Sequence, residues 1–127
     1  MKKTLNLIGI TLLFSFLTSI FLYPLILRIH SYIPGFSSTD EPFGILWRFW
    51  WWAYAHSHGL SASTTNFIIY PFGATFDITF TNPLSYTVTK WLTIFFGEIA
   101  DYNIEIILSF ILSGIFMYLL VKHLSKK

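Results

Sequence analysis

The residues best suited to chemistry in this sequence are the adjacent carboxylates Asp40 and Glu41, and Arg48, set among Trp47, Trp50, Trp51 and Trp52. A carboxylate beside a membrane surface can act as a general base toward an acceptor hydroxyl, or supply hard oxygen to a divalent metal. Its ordinary use is to start a helix, where the dipole favours negative charge. Arg48 carries a planar guanidinium that suits bidentate contact with phosphate, whether of a substrate or of a lipid headgroup. The tryptophans fit an aromatic belt at the headgroup level, and a surface on which a sugar or prenyl chain stacks.

Other polar residues point to less. His56 and His58 are two apart, a spacing that shares one side of a strand but not of a helix, and no third ligand stands at a signature zinc spacing. Asp77 lies between threonine and aromatic residues and reads as a solvated strand position. The chain has no cysteine, which removes disulfides, thiolate metal sites and cysteine nucleophiles.

The elements that position these residues follow from hydropathy. Charged residues make up 11% of the chain and hydrophobic ones 54%, against about 25% charged in an ordinary soluble domain. So little charge cannot cover a water-soluble core. The net charge of +2 is scattered, and lacks the clustered basic patch that nucleic-acid binding needs. At 127 residues the sequence is expected to form a single membrane unit, 1-127, with the lipid bilayer as its partner.

Leu5 to Leu27 is free of charge and, at about 1.5 Å per residue, long enough for a hydrocarbon core near 30 Å. It reads as an uncleaved anchor, since it is long for a signal h-region and no small-x-small site closes it. A second span is expected over 102-121, followed by Lys122, His123, Lys126 and Lys127. Lys2 and Lys3 precede the first span, so the positive-inside rule puts both termini in the cytoplasm and Arg28 to Asp101 outside. Small residues at four-residue spacing, Thr11, Ser15 and Ser19 with Ser109 and Ser113, suggest packing between the spans.

Two interfacial helices are expected in the long loop. One runs over 43-58 and ends at Gly59, with Trp47, Trp50, Trp51 and Tyr54 on one broad face. The other, 84-96, opens after Asn82-Pro83 and ends at Gly97, with Leu84, Val88, Leu92 and Phe95 at helical spacing and Thr87, Thr89, Lys90 and Thr93 elsewhere on the wheel. At about 20 Å it is short for a bilayer, although a short full span is the alternative. The alternation from Thr75 to Thr81 suggests a brief extended segment. The fold class is therefore an all-α membrane protein, with two transmembrane helices flanking a long extracytoplasmic loop, or three if the short helix crosses.

The order of these features resembles the N-terminal part of membrane glycosyltransferases of the GT-C class and related multi-pass bacterial proteins. The basic start, Asp40-Glu41, the Trp47 to Trp52 run, Phe67-Ile-Ile-Tyr-Pro-Phe-Gly73, Asn82-Pro83-Leu84 and Leu108-Ser-Phe-Ile-Leu-Ser-Gly114 carry the resemblance. It implies a polyprenyl-phosphate-linked sugar donor and an acidic residue in the first extracytoplasmic loop that is catalytic or metal-associated. Asp40 matches that position, with Glu41 beside it. Such enzymes have many more spans, so the sequence is expected to be an N-terminal fragment, inactive without the missing remainder. The competing expectation is a small non-catalytic membrane protein or accessory subunit.

Overall fold

The computed structural model describes residues 2–34, 41–75 and 83–125. Helices dominate: α1 Lys2–Phe21, α2 Glu41–Ser57, α3 Pro83–Phe96 and α4 Glu98–Leu124, with a 3₁₀ turn at Leu25–Arg28 and a two-stranded hairpin of β1 Thr64–Thr65 and β2 Ala74–Thr75. The contacts divide the chain into a terminal unit, Met1–Tyr32 with Asn103–Lys127, and a middle unit, Ile33–Tyr102.

In the terminal unit, the helix expected to run from Leu5 to Leu27 ends at Phe21. Pro24 explains the break, because it has no N–H for the ladder and its ring disfavours the helical conformation at Tyr23. The chain tightens instead into the 3₁₀ turn, where Leu25 is buried. Asn103 holds this region, its Nδ2 donating to the carbonyls of Ile29 and Tyr32 at 2.7 Å each. Side chains of α1 and α4 meet where Phe14 lies against Gly114 and where the rings of Phe21 and Phe110 sit 5.4 Å apart. Of the small-residue ladders, Thr11 and Ser15 are half-buried, whereas Ser19, Ser109 and Ser113 are exposed. Thr11, Ser19 and Ser109 donate their hydroxyls to carbonyls one turn back in their own helices.

Among the described residues α4 is the one helix long and apolar enough to cross a membrane; the described apolar part of α1, Leu7–Phe21, is shorter. α4 has 27 residues, about 40 Å at 1.5 Å each. It starts ahead of the expected Tyr102, because Gly97 interrupts the chain for a single residue and its carbonyl then accepts from the Asp101 N–H. Glu98 and Asp101 in the first turn and Lys122 and His123 in the last complement the helix dipole.

The middle unit is built on α2 packed against α3. Phe49, Trp51, Trp52 and Ala55 form its core, with Tyr86 and Tyr102 against them. Helix α2 ends as Gly59 anticipates: the glycine adopts φ 66° and the Leu60 N–H reaches back to the Ala55 carbonyl. The hairpin pairs Thr64 with Thr75 and Thr65 with Ala74 in antiparallel register. The rest of the extended segment anticipated to Thr81 lies outside the described residues.

Candidate functional site

Asp40, the carboxylate singled out by the sequence, lies outside the described residues, as does Asp77. Glu41 is the first residue of α2 and is exposed, where its charge meets the positive end of the dipole. Arg48 follows it by two turns on the same face, about 10 Å further along the axis. Trp52, one turn beyond Arg48, completes that face.

Arg48 is half-buried, with its guanidinium carbon 5.7 Å from the centre of the Trp52 ring. A cation so placed is attracted by the ring's negative face. Its Nε is buried and has no hydrogen-bond partner among the described residues, and the same is true of Trp52 Nε1. Two neighbouring N–H groups therefore lack an acceptor, which costs about 1–3 kcal/mol for each group left so. Trp52 meets Tyr86 of α3 edge-on at 5.3 Å, and Lys90 places its ammonium 5.1 Å from the Tyr86 ring. Arg48 and Lys90 thus stand at the two ends of one aromatic pair. Lys90 was visible in the sequence as a lone charge in an apolar helix, but its relation to Arg48 needed the α2–α3 packing.

The other tryptophans serve different contacts. Trp47 stacks on Trp51 at 6.2 Å, Trp50 on Tyr54 at 5.1 Å, and Phe67 packs edge-on against Trp51 at 5.5 Å. Trp51 is buried and donates its Nε1–H to the Ala62 carbonyl, tying α2 to the chain that leads into β1. The broad face anticipated from the sequence exists as this aromatic stack. A pocket of about 240 Å³ opens beside it, lined by Trp51, Leu60, Asn66, Phe67 and neighbouring hydroxyl residues.

His56 and His58 part company, as helical spacing requires. His56 packs edge-on against Trp91 at 5.3 Å, and His58 stacks on Tyr54 at 4.0 Å with Nδ1 2.9 Å from that residue's carbonyl. Among the described residues no three histidine or carboxylate side chains gather as a metal site would need.

A buried polar set went unseen in the sequence. Thr89 and Asp101 are wholly buried and Thr93 nearly so, with the Thr93 hydroxyl donating to Asp101 Oδ2 at 2.6 Å. On α3, Thr89 and Thr93 thus face the interior of the middle unit, while Thr87 is exposed. Of its apolar positions, Leu84, Val88 and Phe95 are exposed and Leu92 is half-buried. Comparison with protein-family models, characterised proteins and solved structures finds no match.

Proposed function

We propose that the chain is a membrane-embedded protein whose middle unit handles a phosphorylated lipid, as the first extracytoplasmic region of a GT-C class glycosyltransferase handles a polyprenyl-phosphate-linked sugar. The observation that carries the reading is the Arg48–Trp52 pair: the Arg48 Nε–H and the Trp52 indole N–H, both short of an acceptor, beside a helix that exposes Leu84, Val88 and Phe95. In water such a helix would bury Leu84, Val88 and Phe95 and expose Thr89 and Thr93. In lipid the inverted arrangement is the stable one, because hydrocarbon penalises polar groups and not apolar ones. Two membrane crossings, by α1 and α4, with both termini cytoplasmic, complete the reading. Asp40 takes the acceptor proton or holds a divalent metal, with Glu41 as its neighbour.

The test is binding of a polyprenyl phosphate to the purified chain in detergent, followed by tryptophan fluorescence, with phosphatidic acid as the competing phosphate lipid. Polyprenyl phosphate should bind more tightly, and Arg48→Ala should weaken it about 10- to 100-fold, the value of one charge-assisted contact. Equal affinity for both lipids, or no effect of Arg48→Ala, would replace this reading with that of a non-catalytic membrane protein. Within an active enzyme, Asp40→Asn should lower sugar transfer by about 10² to 10⁴ at unchanged expression, and Asp77→Asn should be tolerated.

A further inference from the structure

The hairpin of the middle unit carries an unusual tip. Between β1 and β2 the chain runs Phe67-Ile-Ile-Tyr-Pro-Phe, and from Gly59 to Phe76 there is no charged side chain. Phe67, Ile69, Tyr70 and Phe72 are all exposed, Tyr70 at 84% and Phe72 at 90%. Single exposed hydrophobics need no explanation, but four within six residues of one loop concentrate apolar surface of the kind that marks a protein or membrane contact. The loop is also held in shape. Its closing turn has the Gly73 N–H donating to the Ile69 carbonyl at 3.0 Å, and Ile69 adopts φ 56°, a conformation disfavoured for a β-branched residue. Local strain that serves to hold large apolar side chains in the open calls for something to cover them.

We infer that this tip is a membrane-contacting loop, whose Phe67, Ile69, Tyr70 and Phe72 side chains enter the headgroup–acyl boundary of the bilayer. The inference rests on the membrane reading above. Two features select lipid over a protein partner. A protein surface would be met by some charge to fix register, and the whole segment has none. Tyrosine and phenylalanine beside proline suit the boundary layer, where an aromatic body rests in the acyl region and a phenol hydroxyl reaches water. The same chain carries a helix of membrane-spanning length, so a bilayer is the apolar phase at hand.

Backbone chemistry sets the depth. The loop is neither helical nor part of a closed sheet, so its peptide groups need water or headgroups as partners. Contact must therefore be shallow, with side chains entering and the backbone staying at headgroup level.

A chain without cysteine allows single-site labelling directly. Phe72→Cys, and separately Tyr70→Cys, would be labelled with an environment-sensitive fluorophore in the full chain in phosphatidylcholine–phosphatidylglycerol vesicles. Leu112→Cys on α4 serves as the reference for membrane insertion. The loop labels should show blue-shifted emission, protection from iodide, and stronger quenching by lipids brominated near the headgroup than by those brominated near the bilayer centre. Iodide access equal to that of free dye overturns the inference, as does quenching strongest at the bilayer centre. Protection from iodide without quenching by any brominated lipid overturns it in favour of a protein cover. If Leu112→Cys itself is unquenched by lipid, the membrane reading falls and the loop inference with it; a lipid-quenched Leu112→Cys beside an aqueous Phe72→Cys sinks the loop alone.

Discussion

Asp101 and Asn103 are wholly buried near the start of α4, and different partners hold them. Asp101 receives the Thr93 hydroxyl from α3, whereas Asn103 spends both amide hydrogens on the carbonyls of Ile29 and Tyr32. Neither role was legible in the sequence, where Asp101 closes the long loop and Asn103 falls just inside the span expected over 102-121. Burial of a polar group is decided by partners distant in sequence, and no local pattern records them. Arg48 was legible because a lone arginine among tryptophans is conspicuous; its unpaired Nε was not. Two stability predictions follow at this scale, read by unfolding in detergent micelles. Asn103→Ala should cost about 1–3 kcal/mol for each carbonyl left without its donor. Thr93→Val should cost about 1.5–3 kcal/mol through the lost bond to Asp101, and Thr93→Ser, which keeps the hydroxyl, should recover most of it. Equal effects of the valine and serine variants would mean that packing of the β-branched side chain, and not the bond, matters at Thr93.

At the scale of elements, the glycine and proline signals carried most of the legible information. Gly59 and Gly97 end α2 and α3 where expected, both with positive φ, because only glycine takes that conformation without penalty. Pro83 opens α3, where a missing N–H costs nothing. At Pro24 hydropathy and the backbone rule disagree, and the backbone rule prevails: α1 stops at Phe21 while the apolar run continues. The inward turn of Thr89 and Thr93 was hidden for a related reason, since an amphipathic wheel gives two faces without saying which is covered. The α2–α3 contact depends on Trp52, 3% exposed and packed on Phe49 and Tyr86. Trp52→Ala should cost about 3–5 kcal/mol, more than Trp50→Ala at a half-buried position. Gly73 governs the hairpin. It has φ 72°, and a Cβ there would stand 2.7 Å from the Thr65 carbonyl oxygen. Gly73→Ala should therefore cost at least the ~1–2 kcal/mol of a left-handed alanine, and open the β1–β2 pairing. A variant that unfolds like the wild type would show that the hairpin adds nothing to the stability of the middle unit.

For the whole molecule the lysines near its ends set the expected number of bilayer crossings. Lys2 and Lys3 at one end and Lys122, Lys126 and Lys127 at the other favour the cytoplasm for both termini, which requires an even number of crossings. α4 is long enough on its own. On that expectation α1 would supply the second crossing, although its described apolar part, Leu7–Phe21, is shorter than α4. α3 is a poor third, since its 14 residues extend about 21 Å against a core near 30 Å. Single cysteines at Thr4, Ser61 and Ser125 in intact cells distinguish these topologies by reaction with a membrane-impermeant thiol reagent. Labelling of Ser61→Cys alone is the expected result. If Thr4→Cys is labelled as well and Ser125→Cys is protected, α1 does not cross and α4 is the lone span. If Ser61→Cys and Ser125→Cys both react while Thr4→Cys is protected, an even number of crossings separates residues 61 and 125, so α3 spans too. That last pattern would also move the exposed Leu84, Val88 and Phe95 from the interface into the hydrocarbon core, where α3 would have to be shorter than the bilayer is thick and the membrane would thin around it.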